Sequence, residues 1–384
     1  MKFIHIADLH IGKRINEFNM EDDQKHILQE ILRITDDVDP VGIIMAGDIY
    51  DKSVPAGEAV GILDDFLTEL VERKIQLFIV SGNHDSPERL NFASRILQKN
   101  GVHIAGTFCD GLRSISMQDE FGSVNVYLLP FIKPAMVKDR FLDKVIETYE
   151  DAVKAVINSV PVNLSERNIL VAHQFITCGN LQPERSDSET IVIGGLDNVD
   201  AAFFDSFDYV ALGHLHGPQS IGRNTVRYVG SPLKYSFSET RQNKSVTVID
   251  LCEKGTIDIR TIPLTPLRDM IELKGPIKEL VNAGALLPEI SQDYIRAILT
   301  DEGDVYDAIG QLRQVYPNIM RIDFENNRSR QDIQSKTAAS GDVARKSPME
   351  LFHEFYSNQN NMEMTKEEYS IMQDIFEQVG GVKR

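Results

Sequence analysis

The chain has little cysteine, no long apolar run and no excess of basic residues. Its three cysteines, Cys109, Cys178 and Cys252, are scattered and form no CxxC pair. That excludes a disulfide framework or a thiolate zinc site and fits a reducing compartment. No apolar stretch approaches the ~20 residues that a membrane-crossing helix needs. The opening "MKFIHIADLH" is too short and too polar to serve as the apolar region of a signal peptide. The expected location is cytoplasmic, with no membrane contact. Lys and Arg number 40 against 58 Asp and Glu, a formal net charge of −18. This balance argues against a broad nucleic-acid-binding face, because phosphate affinity is carried mostly by Lys and Arg. It favours solubility instead.

What is present is ordinary for a soluble globular protein: 42% hydrophobic and 26% charged residues in a chain of 384. At roughly 150 residues per domain there is room for two or three domains. Five short apolar runs stand out: "KFIHIA" (2–7), "VGIIMA" (41–46), "QLFIV" (76–80), "NILVA" (168–172) and "DYVAL" (208–212). None alternates with polar residues, so each reads as a strand buried on both faces. Helical patterns lie between the first three, over 22–34 and 57–74, and another follows over 87–99. Strands alternating with helices predict a layered α/β domain, and in such sheets ligands bind beyond the carboxyl ends of strands.

Every one of the five runs ends in Asp, Asn or His. Collected, these residues are Asp8, His10, Asp48, Asn83, His173, His214 and His216. Two carboxylates, one amide and four imidazoles suit a pair of borderline divalent ions such as Mn²⁺, Fe²⁺ or Zn²⁺. The set is too rich in nitrogen for Ca²⁺ or Mg²⁺. Asp8 with His10, and His214 with His216, are two residues apart. In an extended chain each pair would face one way. His5, inside an apolar strand, reads as a core histidine. His26, His103 and His353 read as helix or loop surface, and the acidic run 21–23 as first-turn acids favoured by the helix dipole.

A second unit follows residue 265, read as strand, helix, strand, helix, strand. Residues 325–346 are polar and nearly devoid of large apolar side chains, so they read as a linker. Two short amphipathic helices are predicted beyond it. Ser347, Pro348 and Glu350 open the first, and Thr365 with Glu368 forms a capping box for the second.

Asp8-x-His10, Gly47-Asp48-x-x-Asp51, Gly82-Asn83-His84-Asp85, His173 and Gly213-His214-x-His216 resemble, in order and spacing, the motifs of the calcineurin-like metallophosphoesterases. The resemblance implies an α/β fold: a layered β-sandwich flanked by helices, with a small α+β capping domain and a C-terminal helical tail. It implies that Asp8, His10, Asp48 and His216 hold one ion, and that Asp48, Asn83, His173 and His214 hold the other. Asp48 would then bridge them. His84 would be the proton donor to the leaving oxygen, oriented by Asp85, and Asp51 would position substrate or support the ligands from behind. The expected cofactors are two divalent ions, Mn²⁺ first among them.

The longer strings "GDIYDKSVP" (47–55), "SGNHDSPERL" (81–90), "GHLHGPQ" (213–219) and "YVGSPLKYSFSE" (228–239) are similar to the nuclease-subunit family of SbcCD-type complexes. That similarity implies a nuclease domain over 1–264, a capping, DNA-binding domain over 265–324, the linker 325–346 and a partner-binding helix-loop-helix over 347–384. It implies endonuclease and 3′-to-5′ exonuclease action on DNA ends and hairpins in break repair. The expected partners are DNA, an SbcC-type coiled-coil ATPase held by 347–384, and a second copy of the chain, within a heterotetramer. The helices at 57–74 and 87–99 would form the contact between copies. The alternative is another metallophosphoesterase, acting on phosphomonoesters or cyclic nucleotides. A non-enzymatic module is disfavoured, because decay would erase donors and all seven positions retain them.

Overall fold

The computed structural model describes residues 1–108, 111–179, 182–189 and 197–325, with scattered residues between 352 and 375. The chain divides into two compact units. One comprises Met1–Leu273, Glu289–Arg296 and Tyr316–Arg321, and the other Lys274–Pro288, Ala297–Val315 and Ile322–Arg384.

All five apolar runs form strands, divided between two six-stranded sheets. In chain order the first ten strands of these two sheets are β1 (Lys2–Ile6), β2 (Gly42–Ala46), β3 (Gln76–Val80), β4 (Val102–Ala105), β5 (Arg113–Asp119), β6 (Gly122–Leu129), β7 (Arg167–Ala172), β8 (Tyr209–Leu212), β9 (Gln219–Ile221) and β10 (Arg223–Tyr228). Then come β11 (Ser245–Leu251) and β12 (Ile257–Pro263). The first sheet has the order β12-β11-β1-β2-β3-β4 and the second β9-β10-β8-β7-β6-β5. Within each sheet the strands that lead to the candidate donors run parallel, with Ile6 opposite Met45, Ala46 opposite Val80, and Leu212 opposite Ala172. The register therefore brings the carboxyl ends of β1, β2 and β3 level, and likewise those of β7 and β8.

The missing alternation has a direct cause. Phe3, Ile44, Phe78, Ile169, Val171, Tyr209 and Ala211 form one core between the sheets. Ile43, Met45, Leu77 and Ile79 point the other way and pack with α1 (Glu21–Val38) and α2 (Gly57–Glu72). Leu170, Ala172, Val210 and Leu212 pack with α3 (Tyr149–Ile157) on the outer face of the second sheet. Each run is apolar throughout because both of its faces are buried.

The helix expected over 87–99 is broken. Pro87–Leu90 and Ser94–Leu97 are single turns, separated by Ala93 in a left-handed conformation at φ 58°. The apolar spacing from Leu90 to Leu97 suggested one face, but Leu90 is buried while Ile96 is 67% exposed. His103 is also corrected: it lies buried on β4 and stacks on Phe78 with ring centroids 5.3 Å apart. Asp23 is no solvated first-turn acid but a buried one, bonded to Arg268 and the Tyr294 hydroxyl at 2.7 Å each. His5 is a core residue as expected, its Nδ1 3.1 Å from the Tyr209 hydroxyl.

After residue 265 the elements follow as anticipated: Met270–Gly275, Ile277–Ala285, Tyr294–Leu299, Ala308–Arg313 and Ile319–Phe324 are strand, helix, strand, helix and strand. The linker beyond Glu325 and the expected cap at Ser347, Pro348 and Glu350 lie outside the described residues. The second cap is described. Thr365 Oγ1 accepts the Glu368 N–H at 3.3 Å, and Glu368 Oε2 accepts the Thr365 N–H at 2.8 Å.

Candidate metal centre

Four of the seven donors do not sit on extended chain. Strand β1 ends at Ile6 and β2 at Ala46; beyond them Asp8, His10 and Asp48 take φ values of 54°, 44° and 49°. His214, beyond β8, has φ 105°. Left-handed backbone at non-glycine residues costs of order 1–3 kcal/mol each and concentrates at functional sites. The i, i+2 argument is thus corrected: His214 and His216 do not share a face. Nδ1 of His214 lies 2.9 Å from Asn83 Oδ1, whereas Nε2 of His216 lies 3.1 Å from His10 Nε2.

Two crossing backbone bonds lock the loops together, from Asp8 N–H to the Gly47 carbonyl (3.0 Å) and from His10 N–H to the Asp48 carbonyl (2.9 Å). The glycines before Asp48 and Asn83 leave space that a side chain would fill. A Cβ on Gly82 would lie 2.0 Å from Asp48 Oδ1, and one on Gly47 2.3 Å from His173 Nδ1.

The structure brings all seven expected donors together. Asp48 is central. Its Oδ2 lies 3.3 Å from His173 Nε2 and 3.6 Å from His10 Nε2, while Oδ1 accepts the His84 N–H at 2.9 Å. Asn83 Oδ1 meets His173 Nε2 at 3.1 Å as well as His214 Nδ1. Asp8 Oδ1 accepts the His214 N–H at 2.8 Å. Asp8, His10 and His216 form one group able to hold a cation, Asp8, Asp48 and His173 another, and His10, Asp48 and His84 a third.

These residues fit divalent cations on three counts. Asp8 Oδ2 and His10 Nδ1 are buried without a hydrogen-bond partner, and such atoms are costly unless something polar meets them. The Nε2 atoms of His10 and His216 converge, although two imidazole nitrogens so close can share only one proton. Charge is also poorly balanced. Burial lifts Asp8 well above the usual carboxylate range. Burial opposes ionisation of Asp48 too, yet the His173 and His10 rings hold it well below that range. Against its own burial, His173 is held up to about 9 by Asp48. Its Nδ1 donates to the Ala46 carbonyl at 2.8 Å, which aims Nε2 at Asp48 and Asn83.

Three further expected residues differ in role. The His84 ring packs edge-on against His10 with centroids 4.8 Å apart. Its Nδ1 donates to the Asp51 backbone carbonyl at 3.0 Å, so Asp85 does not orient it. The Asp85 carboxylate accepts instead from the N–H groups of Gly82, Tyr50 and Ile49 at 2.8, 2.9 and 3.1 Å. It ties the β2 loop to the β3 loop. Asp51 Oδ1 accepts from Lys13 Nζ at 2.7 Å and lies 3.6 Å from His10 Nδ1. Burial opposes its ionisation, but these neighbours hold it below the usual range.

Other residues at the site were not anticipated. Gln24 Nε2 donates to the His10 carbonyl at 2.7 Å. Ser188, Glu189, Glu239 and Lys244 surround His216. A cavity of about 290 Å³ opens beside Asn83, His84 and His214, walled by Phe131, Lys133 and Phe175. Arg185 lies 3.8 Å over the Phe175 ring.

Residues 1–218 match the calcineurin-like phosphoesterase family. Residues 266–360 match the type 5 capsule protein repressor C-terminal domain. Over 373 residues the chain is 32% identical to the D subunit of the nuclease SbcCD from Staphylococcus epidermidis (strain ATCC 12228 / FDA PCI 1200), covering 95% of each chain. Among solved structures, a dimetal phosphatase from Danio rerio is 12% identical with a TM-score of 0.42, covering 70% of this chain and 98% of its own. The phosphopantetheinyl hydrolase of Mycobacterium tuberculosis is 14% identical with a TM-score of 0.37, covering 68% and 95%. The chain belongs to the calcineurin-like phosphoesterases, and within them to the SbcD family of nuclease proteins. The superfamily uses divalent metals, and the Asp and His groups above are candidate donors for them.

Proposed function

We propose that this chain is a two-metal DNA nuclease, the SbcD component of an SbcCD-type complex. It would cleave DNA ends and hairpins as an endonuclease and a 3′-to-5′ exonuclease in break repair and recombination. One observation carries the reading: Asp48 and six further donors from two sheets gather in one site, in a chain alike over 95% of its length to an SbcD nuclease protein. Asp8, His10, Asp48 and His216 hold one ion. Asp48, Asn83, His173 and His214 hold the second, and Mn²⁺ is the expected metal. When bound, the ions supply Lewis acidity at the phosphate and lower the pKa of water.

The chain's own residues do the rest. Asp48, held by the His84 N–H through one oxygen, keeps its other oxygen between His10 and His173. His84 is the proton donor to the departing oxygen, its ring fixed by the Asp51 carbonyl. Asp51 holds Lys13 near His10, where the ammonium would meet a phosphate oxygen. Asp85 keeps the loops carrying Asp48 and His84 in register. The cavity beside His84, with Lys133 and Arg185 near its aromatic walls, supplies positive charge locally that the −18 chain lacks globally.

The domain partition follows: nuclease 1–264, capping and DNA-binding 265–324, linker 325–346 and partner-binding 347–384, the last gripping the SbcC-type ATPase. Phe92 and Ile96, 81% and 67% exposed, support a homodimer contact within the heterotetramer. We assign the chain to the cytoplasm; among the described residues no helix is long and apolar enough to cross a membrane.

Hairpin and blunt-ended DNA, tested with Mn²⁺ and with chelator beside p-nitrophenyl phosphate, decide the reading. Metal-dependent DNA cleavage with little monoester turnover is expected. Efficient monoester hydrolysis without DNA cleavage would replace it with the phosphomonoesterase alternative. A chain ending at Ala344 should keep metal binding and lose capture of the ATPase; undiminished capture would remove the tail's assignment.

A further inference from the structure

We infer that Ser188 and Glu239 form a positioning relay that sets which nitrogen of His216 faces the metal centre. The inference rests on His216 being a metal ligand. The ring is buried, and its Nδ1 lies 2.7 Å from Ser188 Oγ. That hydroxyl lies 2.6 Å from Glu239 Oε1. Glu239 is fully buried, and Lys244 Nζ sits 2.6 Å from its Oε2.

The proton positions follow by elimination. A carboxylate bonded to a buried ammonium only accepts. Ser188 has one hydrogen and gives it to Glu239. Ser188 can then only accept from His216, so Nδ1 carries the proton. A neutral imidazole has one N–H, and the lone pair is therefore on Nε2, the atom 3.1 Å from His10 Nε2. His173 reaches the same tautomer through a backbone carbonyl, at Ala46. His216 has no such carbonyl on Nδ1 and depends on a side chain from a separate loop.

The backbone of His216 is pinned by the same group. Its N–H donates to Glu189 Oε1 at 2.7 Å, and its carbonyl accepts from Lys244 Nζ at 2.9 Å. Lys244 thus neutralises the end of the relay and anchors the residue at its start. A carboxylate behind a metal-binding histidine fixes ring orientation and raises ligand basicity. Here a hydroxyl stands between the two.

The test uses the full-length chain, as wild type, Ser188→Ala and Ser188→Thr. Mn²⁺ binding is titrated by calorimetry and by electron paramagnetic resonance of the free ion. Wild type should bind two equivalents; if it binds none, the metal reading itself fails and the relay with it. Removing an outer partner of this kind weakens metal affinity by ~10–100-fold. Ser188→Ala should show that loss for one equivalent only, with its thermal midpoint close to wild type. Ser188→Thr keeps the hydroxyl and should restore the affinity. Nitrogen NMR of the metal-free protein should show His216 protonated at Nδ1 in wild type and no longer held to that form in Ser188→Ala. Unchanged affinity, equal loss of both equivalents, or an unaltered tautomer would overturn the relay.

Discussion

The two sheets contribute different chemistry to one site. The first, through the loops after β1, β2 and β3, brings Asp8, Asp48 and the amide of Asn83, with the imidazole of His10 and, packed against it, that of His84. The second, through the loops after β7 and β8, brings only imidazoles: His173, His214 and His216. All the negative charge therefore comes from one side, on turns held in left-handed backbone. The other side supplies nitrogen, with His173 and His216 aimed by hydrogen bonds behind their rings. In the proposed two-ion reading, a carboxylate placed between neighbours would serve both ions at once. An imidazole, with one lone pair, serves one. The sheets should thus be unequal under mutation.

Asp48→Asn tests that inequality most severely. It removes the charge facing both His10 and His173. We expect metal occupancy to fall at both positions and hydrolysis to drop beyond the ~10²–10³-fold cost of losing a single transition-state donor. Elemental analysis of the purified variant reads the metal. Two full equivalents would break the comparison. His214→Ala removes one nitrogen from the second sheet, and its contact with Asn83. One equivalent should remain, so metal analysis of the two variants side by side measures the asymmetry. If His214→Ala loses both ions, the sheets are not unequal.

His84→Gln belongs to neither set of donors in our reading. It should keep both equivalents and lose turnover by ~10²–10⁴-fold, the usual contribution of one proton donor. Single-turnover cleavage of hairpin DNA measures it, and a loss of only a few-fold would remove His84 from the chemistry.

Legibility in the sequence followed burial. The five strands were readable because residues such as Ile43 and Ile44 face different cores, which erases alternation. Their ends were readable because polar groups that terminate such runs need a reason. The geometry behind the His214 and His216 pair was not readable: it depends on φ 105° at His214, which no spacing announces. Ala93 breaks the helix expected over 87–99 although alanine is the best of helix formers; tertiary context overrides propensity there. Ser188 and Lys244 each lie 28 residues from His216 in the chain, and Ser188 and Glu239 lie 51 residues from each other. Polar residues in loops carry no periodicity, so only the fold reveals them. The Thr365 and Glu368 cap was readable because its partners are local.

The smallest functional effect is expected from the opposite end of β7. His173 follows that strand at one end, while Arg167 begins it at the other, buried and enclosed by Asp119 on β5 and by the carbonyls of Gly122, Leu251 and Cys252. The Arg167 guanidinium, the main influence on Asp119, holds its carboxyl down to about 2. A carboxylate whose folded pKa is depressed stabilises the fold fully above its unfolded value, near 3.8. That stabilisation is lost as pH falls through the folded value. Asp119→Asn should therefore lower stability by about 1.5–3 kcal/mol near neutral pH, the usual worth of hydrogen bonds to a charged group. The gap to wild type should hold steady from pH 7 to about 5 and close between about 4 and 2. Both metal equivalents and the cleavage rate should stay within about twofold of wild type, because no donor loop is touched. Urea unfolding of both proteins across this pH range, with Mn²⁺ titration at neutral pH, measures each part. A stability gap that does not vary with pH would remove Asp119 as the ionised partner. A lost metal equivalent would mean that the two ends of β7 are coupled, and that the fold does not separate support from chemistry along this strand.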